Sequence, residues 1–379
     1  MYREKALIVG AYPRTNRFYR KALDELKLLC ESAGIEVVGE VKQIRDKIDS
    51  LTVIGSGKLE EVKQLADEKK CSMVIFDNPL KPAQWKKITS ILPFKTLDRC
   101  MLILDIFAQR AKSSEGKIKV ELAQLEYNLP RLTELDSGLS RLVGGIGGRG
   151  PGETKLEVSR RRTRERIKLL QEKLRKIEAH RNKLSTRAKK RGVFQVSILG
   201  YTNAGKSSLF NALLKKAEAF VENKVFATLD PLKRKVTRWI ENSAVDFVLV
   251  DTVGFIRDLP KQLEEAFQAT VKEALDANLL LLVVDVSDDD AFFKFNAVQK
   301  ILLNLGARWE DVKVVLNKID IARNVERLEF KEFSPFYVSA KTGEGLGDLL
   351  DFISWKAYRW YQLREQALKA SGERNKLPA

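Results

Sequence analysis

Gly200-Tyr-Thr-Asn-Ala-Gly-Lys-Ser207 decides the fold. It fits G-x-x-x-x-G-K-[ST], a loop whose backbone cradles phosphates. The apolar run Gln195-Val-Ser-Ile-Leu199 before it predicts a strand, and helix formers follow from Ser208 to Lys215. Both flanks argue against a glycine turn that merely opens a helix. Gly200 and Gly205 let the backbone curl until successive N–H groups face a phosphate, and the helix N-terminus adds positive potential there. Lys206 is expected to reach the β- and γ-phosphates, and the Ser207 hydroxyl to bind Mg²⁺. Tyr201, Thr202, Asn203, Ala204 and Ser208 complete the expected nucleotide contacts from this stretch.

Three more pieces follow in order, each at a predicted strand end. Asp251-Thr-Val-Gly254 closes the run Asp246-Phe-Val-Leu-Val-Asp251. Asp251 is expected to hold Mg²⁺ through water, and the Gly254 N–H to sense the γ-phosphate. Asn317-Lys318-Ile319-Asp320 closes Val312-Lys-Val-Val-Leu316. There Asp320 can accept two hydrogen bonds from guanine, at N1–H and the exocyclic amine. Adenine offers neither and would leave a carboxylate unpaired, a difference that can reach roughly 10⁴–10⁵ in selectivity. Ser339-Ala340-Lys341 follows Phe336-Tyr-Val338 and matches a loop that supports the base. Thr228, between the first loop and Asp251, is the natural switch threonine and a further Mg²⁺ ligand, with Phe226 in the same segment. The set resembles the translation-factor-related GTPases. Catalytic roles are expected for Lys206, Thr228 and Gly254.

With 379 residues the chain is long enough for two or three domains, and 44% hydrophobic content suffices for ordinary cores. The longest aliphatic run, Leu279 to Val284, is far short of a membrane span, and Met-Tyr-Arg-Glu-Lys at the N-terminus lacks the apolar core of a signal peptide. Cys30, Cys71 and Cys100 lack metal spacing and fit a reducing cytosol, so a cytoplasmic protein is expected. The only histidine, His180, sits in a charged stretch as an expected solvated residue, which argues against His-based catalysis. The net charge is +17, and Ser159 to Arg191 hold 15 Lys or Arg against 3 Asp or Glu. Charge so concentrated reads as a nucleic-acid footprint rather than a merely solvated face, which usually mixes both signs.

Residues 1–111 predict a small α/β unit. Ala6-Leu-Ile-Val9, Ile35-Glu-Val-Val38, Thr52-Val-Ile54, Met73-Val-Ile-Phe76 and Met101-Leu-Ile-Leu104 recur as candidate strands, with amphipathic helices between several of them, around Phe18 to Cys30 and Leu59 to Lys69. That alternation implies a mostly parallel sheet. Gly55-Ser-Gly-Lys58 lacks the full phosphate-loop spacing and reads as a tight turn. Residues 112–191 change character. Ile118, Leu122, Leu125, Leu129 and Leu132 form one heptad-like seam; Ile167, Leu170, Leu174, Ile177, Leu184 and Ala188 form another, interrupted by Arg181. An antiparallel pair of long helices is expected, with a kink at Pro130. Between them lies Gly144-Gly-Ile-Gly-Gly-Arg-Gly-Pro-Gly152, in which six of nine residues are glycine. Such a loop, with Arg149 at its tip, suits close approach to a phosphate backbone, although a plain linker has the same composition. Lys155, Arg160, Arg161, Arg162 and Arg164 extend the candidate RNA surface into the second helix. Residues 192–362 then form a doubly wound P-loop GTPase domain, with covering helices expected over Leu263 to Leu275, Phe292 to Leu305 and Leu346 to Trp360. Residues 363–379 read as a short polar tail.

Gly148-Arg-Gly-Pro-Gly-Glu-Thr-Lys-Leu-Glu157, closely followed by such a domain, is similar to the HflX family of ribosome-associated GTPases. Phe226-Ala-Thr-Leu-Asp-Pro231 and Asp251-Thr-Val-Gly-Phe-Ile256 match as well. The resemblance runs from the N-terminal unit to about residue 360. It implies GTP and GDP as substrate and product, binding to the large ribosomal subunit and its rRNA, and splitting or rescue of stalled ribosomes. Some members carry a further C-terminal domain, where this sequence shows only the polar tail. Family members also use ATP through the N-terminal region, and no motif in this sequence places such a site. A monomer without stable membrane insertion is expected.

One residue departs from the common mechanism. Many GTPases orient the attacking water with a glutamine after D-x-x-G, and Phe255 stands there instead. Slow intrinsic hydrolysis follows, on the order of 10⁻² s⁻¹ or less, with completion of the site left to a partner or to K⁺. Asn203 resembles the K⁺ ligand of potassium-activated GTPases, or else makes a hydrogen bond that stabilises the loop. Two other functions fit less well: a GTP-regulated factor in rRNA or tRNA maturation, and a switch on anionic lipids. The second lacks a broad aromatic face on the basic helix.

Overall fold

The computed structural model describes residues 4–14, 22–111, 113–139, 155–217, 232–252, 254–255, 271–272, 274–323 and 328–370. They fall into two compact units that divide within one long helix, between Lys176 and Ile177.

The first unit starts with β1 (Lys5–Pro13), α1 (Ala22–Ser32), β2 (Glu36–Arg45), α2 (Ser56–Glu68) and β3 (Met73–Phe76). α3 (Pro82–Ile91), β4 (Lys95–Asp98) and α4 (Arg99–Arg110) follow. The sheet runs β2-β1-β3-β4 and is parallel throughout. Leu7, Val9, Val74 and Phe76 enter one core with Leu59, Val62 and Ile88 of the helices. Their neighbours Ala6, Ile8, Met73 and Ile75 are equally buried. A strand covered on both faces needs an unbroken apolar run, and these two runs supply it.

Two expected strands are not strands. Met101-Leu-Ile-Leu104 lies inside α4, and the strand is the preceding β4. A four-residue aliphatic run fits a buried helix as well as a strand. Asp98 decides between them by accepting the Met101 N–H at 2.8 Å, an N-cap that starts the helix. Thr52-Val-Ile54 makes only an isolated bridge to Asp49. Asp49 accepts the N–H groups of Leu51 and Thr52, and Val53 takes φ +68°, a turn that a strand cannot contain. Gly55 caps α2, and Ser56, Gly57 and Lys58 form the first turn of that helix rather than the separate tight turn expected there.

α5 (Ser114–Leu139) continues through Pro130, and α6 spans Lys155–Arg191. The seam residues Ile118, Leu122, Leu125 and Leu129 are half-buried, as are Ile167 and Leu174, while Leu170 is fully buried. Arg166 pairs with Glu121 at 2.7 Å, and Gln171 donates to Glu126 at 3.2 Å, tying α6 to α5. The glycine-rich segment and the His180 side chain lie outside the described residues. A second face of α5 packs on α3 and α4 through Val120 and Ala123. Asp98, fully buried, anchors that face. Its Oδ2 accepts from Tyr127 Oη at 2.7 Å, Arg131 Nη2 at 2.8 Å and the Leu80 N–H at 3.0 Å. Arg131 also donates to the Tyr127 carbonyl, one turn back, beside Pro130.

In the second unit, β5 (Phe194–Gly200), α7 (Lys206–Lys216), β6 (Leu232–Ile240), β7 (Ser243–Asp251) and β8 (Leu279–Asp285) come first. α8 (Ala291–Asn304), β9 (Val312–Asn317), β10 (Phe336–Tyr337) and α9 (Leu346–Ala370) complete it. The order is β10-β9-β8-β5-β7-β6, parallel except for the edge strand β6. Odd residues of β8, Leu279, Leu281 and Val283, join a core under α7 and α9. Even residues, Leu280, Leu282 and Val284, join a second core with Phe295 and Leu302 of α8. The sheet is therefore doubly wound, as its motifs require. The helix expected over Leu263 to Leu275 falls mostly outside the described residues. α9 runs on to Ala370, past the expected start of a polar tail. Among the described residues no helix is long and apolar enough to cross a membrane.

Asp98→Ala would leave the Arg131 guanidinium buried without its carboxylate and is expected to destabilise the first unit by about 3–5 kcal/mol. Tyr127→Phe removes one hydrogen bond and should cost about 1 kcal/mol. Urea unfolding of both variants checks this. An Asp98→Ala protein as stable as the parent would show that the carboxylate does not hold α5.

Candidate nucleotide-binding site

The second unit gathers its motif residues at the carboxyl ends of β5, β7, β8 and β9, where an open parallel sheet leaves a crevice. Gly200 ends β5 with φ +150°, and a Cβ there would lie 2.2 Å from the Val283 carbonyl. Gly205 takes φ +86°, and its Cβ would meet Asn317 Nδ2 at 2.2 Å. Only glycine fits either place. The curled loop feeds α7, whose first residue is Lys206.

Lys206 is 6% exposed, and its ammonium donates to the Tyr201 carbonyl at 2.8 Å. Burial pushes its pKa down to about 8, against the opposing pull of the Asp251 carboxylate. Ser207 Oγ donates to Asp251 Oδ2 at 2.7 Å, so the two expected Mg²⁺ ligands already meet. Asp251 is fully buried at the end of β7, and Thr252 Oγ1 donates to the Ile198 carbonyl, tying β7 to β5. Gly254 lies against the lysine: a Cβ on it would stand 2.5 Å from Lys206 Nζ. Thr228 and Phe226 lie outside the described residues.

Asn317 ties the base loops to the phosphate loop. Its Nδ2 donates to the Ala204 carbonyl at 2.9 Å, and its Oδ1 accepts the Ala340 N–H at 3.0 Å. Ser339 Oγ donates to Asp320 Oδ1 at 2.7 Å and accepts the Thr342 N–H at 3.1 Å. Asp320 and Lys341 are both exposed. Lys318 takes φ +68°, and its ammonium pairs with Asp285 Oδ2 at 2.6 Å. The sequence reading missed Asp285. Its signal is an acid directly after the buried run Leu279–Val284, at the strand end that faces the site.

Phe255 is 2% exposed and packs with Val271 and Ala274. Its backbone does the local work: the Phe255 N–H donates to the Gly200 carbonyl, and its own carbonyl accepts the Thr202 N–H. Asn203 takes φ +63°; its side chain is exposed and hydrogen-bonds to none of the described residues. Arg161, Arg162 and Arg164 are exposed on α6 and Arg160 is half-buried, whereas Arg149 and the Lys155 side chain lie outside the described residues.

The Lys206 shift has a measurable consequence. Phosphate binding would use the ammonium, so affinity for GDP is expected to be full well below pH 8 and to fall as the ammonium of the ligand-free protein loses its proton above it. Titration of GDP binding between pH 7 and 9 should show a flat region and then weakening that approaches tenfold per pH unit. A flat profile to pH 9 would contradict a desolvated Lys206.

Comparison with known proteins finds matches over most of the chain. Residues 20–108 match the family described as GTP-binding GTPase N-terminal, 110–189 its Middle Region, and 195–318 the 50S ribosome-binding GTPase family. A GTPase HflX from Caldanaerobacter subterraneus subsp. tengcongensis is 46% identical over 94% of this chain and 81% of that protein. The Escherichia coli GTPase HflX is 38% identical over 93% and 82%. The solved SsGBP and GDP complex is 29% identical, with TM-score 0.55 over 94% of this chain and 99% of that one. A GTP-binding protein from the archaeon Sulfolobus solfataricus, in complex with GDP, is 27% identical with TM-score 0.50. A chain so matched is a GTP-hydrolysing enzyme, and it belongs to the HflX family of GTPases.

Proposed function

We propose that this GTPase works in the cytoplasm, as a monomer, on the large ribosomal subunit, where it splits or rescues stalled ribosomes. The exposed arginines at the start of α6 carry the reading: Arg161, Arg162 and Arg164 stand in solvent in a chain whose GTPase domain matches a ribosome-binding family. In the GTP state, Thr228 and Gly254 hold the two switch segments at the γ-phosphate. The glycine-rich segment with Arg149 and the basic helix from Lys155 through Arg160 then face ribosomal RNA. Hydrolysis releases the switches, and the protein leaves.

Hydrolysis itself depends on positioning and charge. Lys206 neutralises the β- and γ-phosphates, and the N–H groups of the glycine-bent loop hold their oxygens. Ser207, Thr228 and Asp251 offer the hard oxygen donors that Mg²⁺ prefers, and when bound the ion supplies charge neutralisation at the phosphates. The base is held by Asp320, steadied by Ser339. The Phe255 ring is committed to the core, so this chain orients no water from that position. Its intrinsic turnover is slow, and the ribosome or a K⁺ ion beside the phosphates completes the site. The exposed amide of Asn203, free of hydrogen bonds to described residues, supports the K⁺ role over a loop-stabilising one.

GTP turnover measured with and without purified large subunits, in KCl and in NaCl, tests the mechanism. Strong stimulation by the subunit is the expected outcome, with KCl exceeding NaCl and Asn203→Ala abolishing that difference. No stimulation in either salt would move the function toward rRNA or tRNA maturation. Binding to the subunit should also weaken steeply with salt, and reversing Arg161, Arg162 and Arg164 to glutamate should lower the log–log slope by roughly 0.7–0.9 for each phosphate no longer neutralised. A slope unchanged by the triple reversal would remove α6 from the RNA surface.

A further inference from the structure

The sheet of the second unit ends in β6, and one residue there is out of place for an edge strand. Lysines on an edge are ordinary, because charge discourages strand pairing. A tryptophan is not needed for that. Trp239 is 74% exposed, and its indole makes no hydrogen bond or ring contact among the described residues. The other four tryptophans are engaged. Trp85 donates to the Thr96 carbonyl, Trp309 packs on Phe295 and Phe333, Trp355 meets Tyr358, and Trp360 meets Phe194 and Tyr361.

Strand alternation puts Lys233, Lys235, Thr237 and Trp239 on one face, because Val236 and Ile240 turn the other way into the core. Lys235 stands about 13 Å, and Lys233 about 20 Å, back along the strand from the indole. Asp246, opposite Thr237, is the acid on this face; it pairs with Lys235 at 2.7 Å, and both side chains are substantially exposed. An exposed pair of this kind is weak, so a phosphate can take the lysine. The arrangement is a flat aromatic ring at one end of a cationic track.

We propose that this face of β6 binds single-stranded RNA, with a base stacked on Trp239 and phosphates further along the same strand on Lys235 and Lys233. It rests on the ribosomal reading above for its biological setting and adds to it an RNA contact made by the GTPase unit itself, separate from α6.

The test uses the full chain and two ligands, a fluorescent 12-nucleotide oligouridine and purified large subunits. Trp239→Ala should weaken oligouridine binding at least fivefold, Trp239→Phe should retain most of it, and Lys235→Glu should lower the salt slope by about 0.7. Basal GTP turnover should stay at the parent level in all three, which reports an intact fold. Oligouridine binding unchanged in Trp239→Ala overturns the proposal. Loss of subunit binding without loss of oligouridine binding also overturns it, because the face would then meet a ribosomal protein. If the parent protein binds oligouridine through Trp239 but no large subunit, the RNA surface stands and the ribosomal reading fails.

Discussion

The carboxamide of Asn317 is a small group on which the geometry of the nucleotide site depends. Buried at the end of β9, it donates to the phosphate loop at Ala204 and accepts from the base loop at Ala340. Parallel strands place their loops at one edge of the sheet without setting the distance between loops from different strands. A buried amide can leave neither of its partners without a cost of about 1–3 kcal/mol each. The phosphate loop and the base-supporting loop are therefore held at one separation before any nucleotide arrives. Gly205 belongs to the same constraint, since any Cβ there would strike the Asn317 amide.

The site is also held in electrostatic tension. Lys206 is buried beside a carbonyl, with burial lowering its pKa and Asp251 pulling the other way. Ser207 meanwhile donates to that same carboxylate. The lysine is held by the Tyr201 carbonyl and the serine by Asp251; a phosphate would offer the ammonium a stronger, charge-assisted partner. Preorganisation here means that charges are already desolvated, so little reorganisation is left to the moment of binding. Phe255 shows the other side of the same packing: the residue directly after Gly254 contributes a ring to the core and its backbone to the Gly200–Ser207 loop.

The first unit solves a different problem, that of fixing a long helix to a small sheet. Apolar contact through Val120 and Ala123 allows sliding, whereas Asp98 does not. One carboxylate caps α4 and receives Tyr127 and Arg131 from α5, so α5 cannot shift by a turn without stranding a buried charge. The half-buried seam between α5 and α6 is governed more by periodicity and by pairs such as Arg166 with Glu121.

The amino-acid sequence by itself determined the elements whose signals are local. The unbroken runs at Ala6–Val9, Met73–Phe76 and Leu279–Val284 suit strands covered on both faces, and the alternation with amphipathic stretches favoured that assignment. The spacing of Gly200, Gly205, Lys206 and Ser207 carried its own chemistry, and heptad seams announced α5 and α6. Tertiary structure decided what no local pattern encodes. Met101–Leu104 is helical because Asp98 caps it, and Thr52–Ile54 is a turn because Asp49 captures its amides. The roles of Asp98, Asp285 and Asn317 as anchors between elements, and the exposure of Trp239, also appeared only in three dimensions. The physical reason is common to all of these. Burial and hydrogen-bond partnership depend on which distant segments share a neighbourhood, and a linear pattern records only what one element needs, not which residue of another element meets that need.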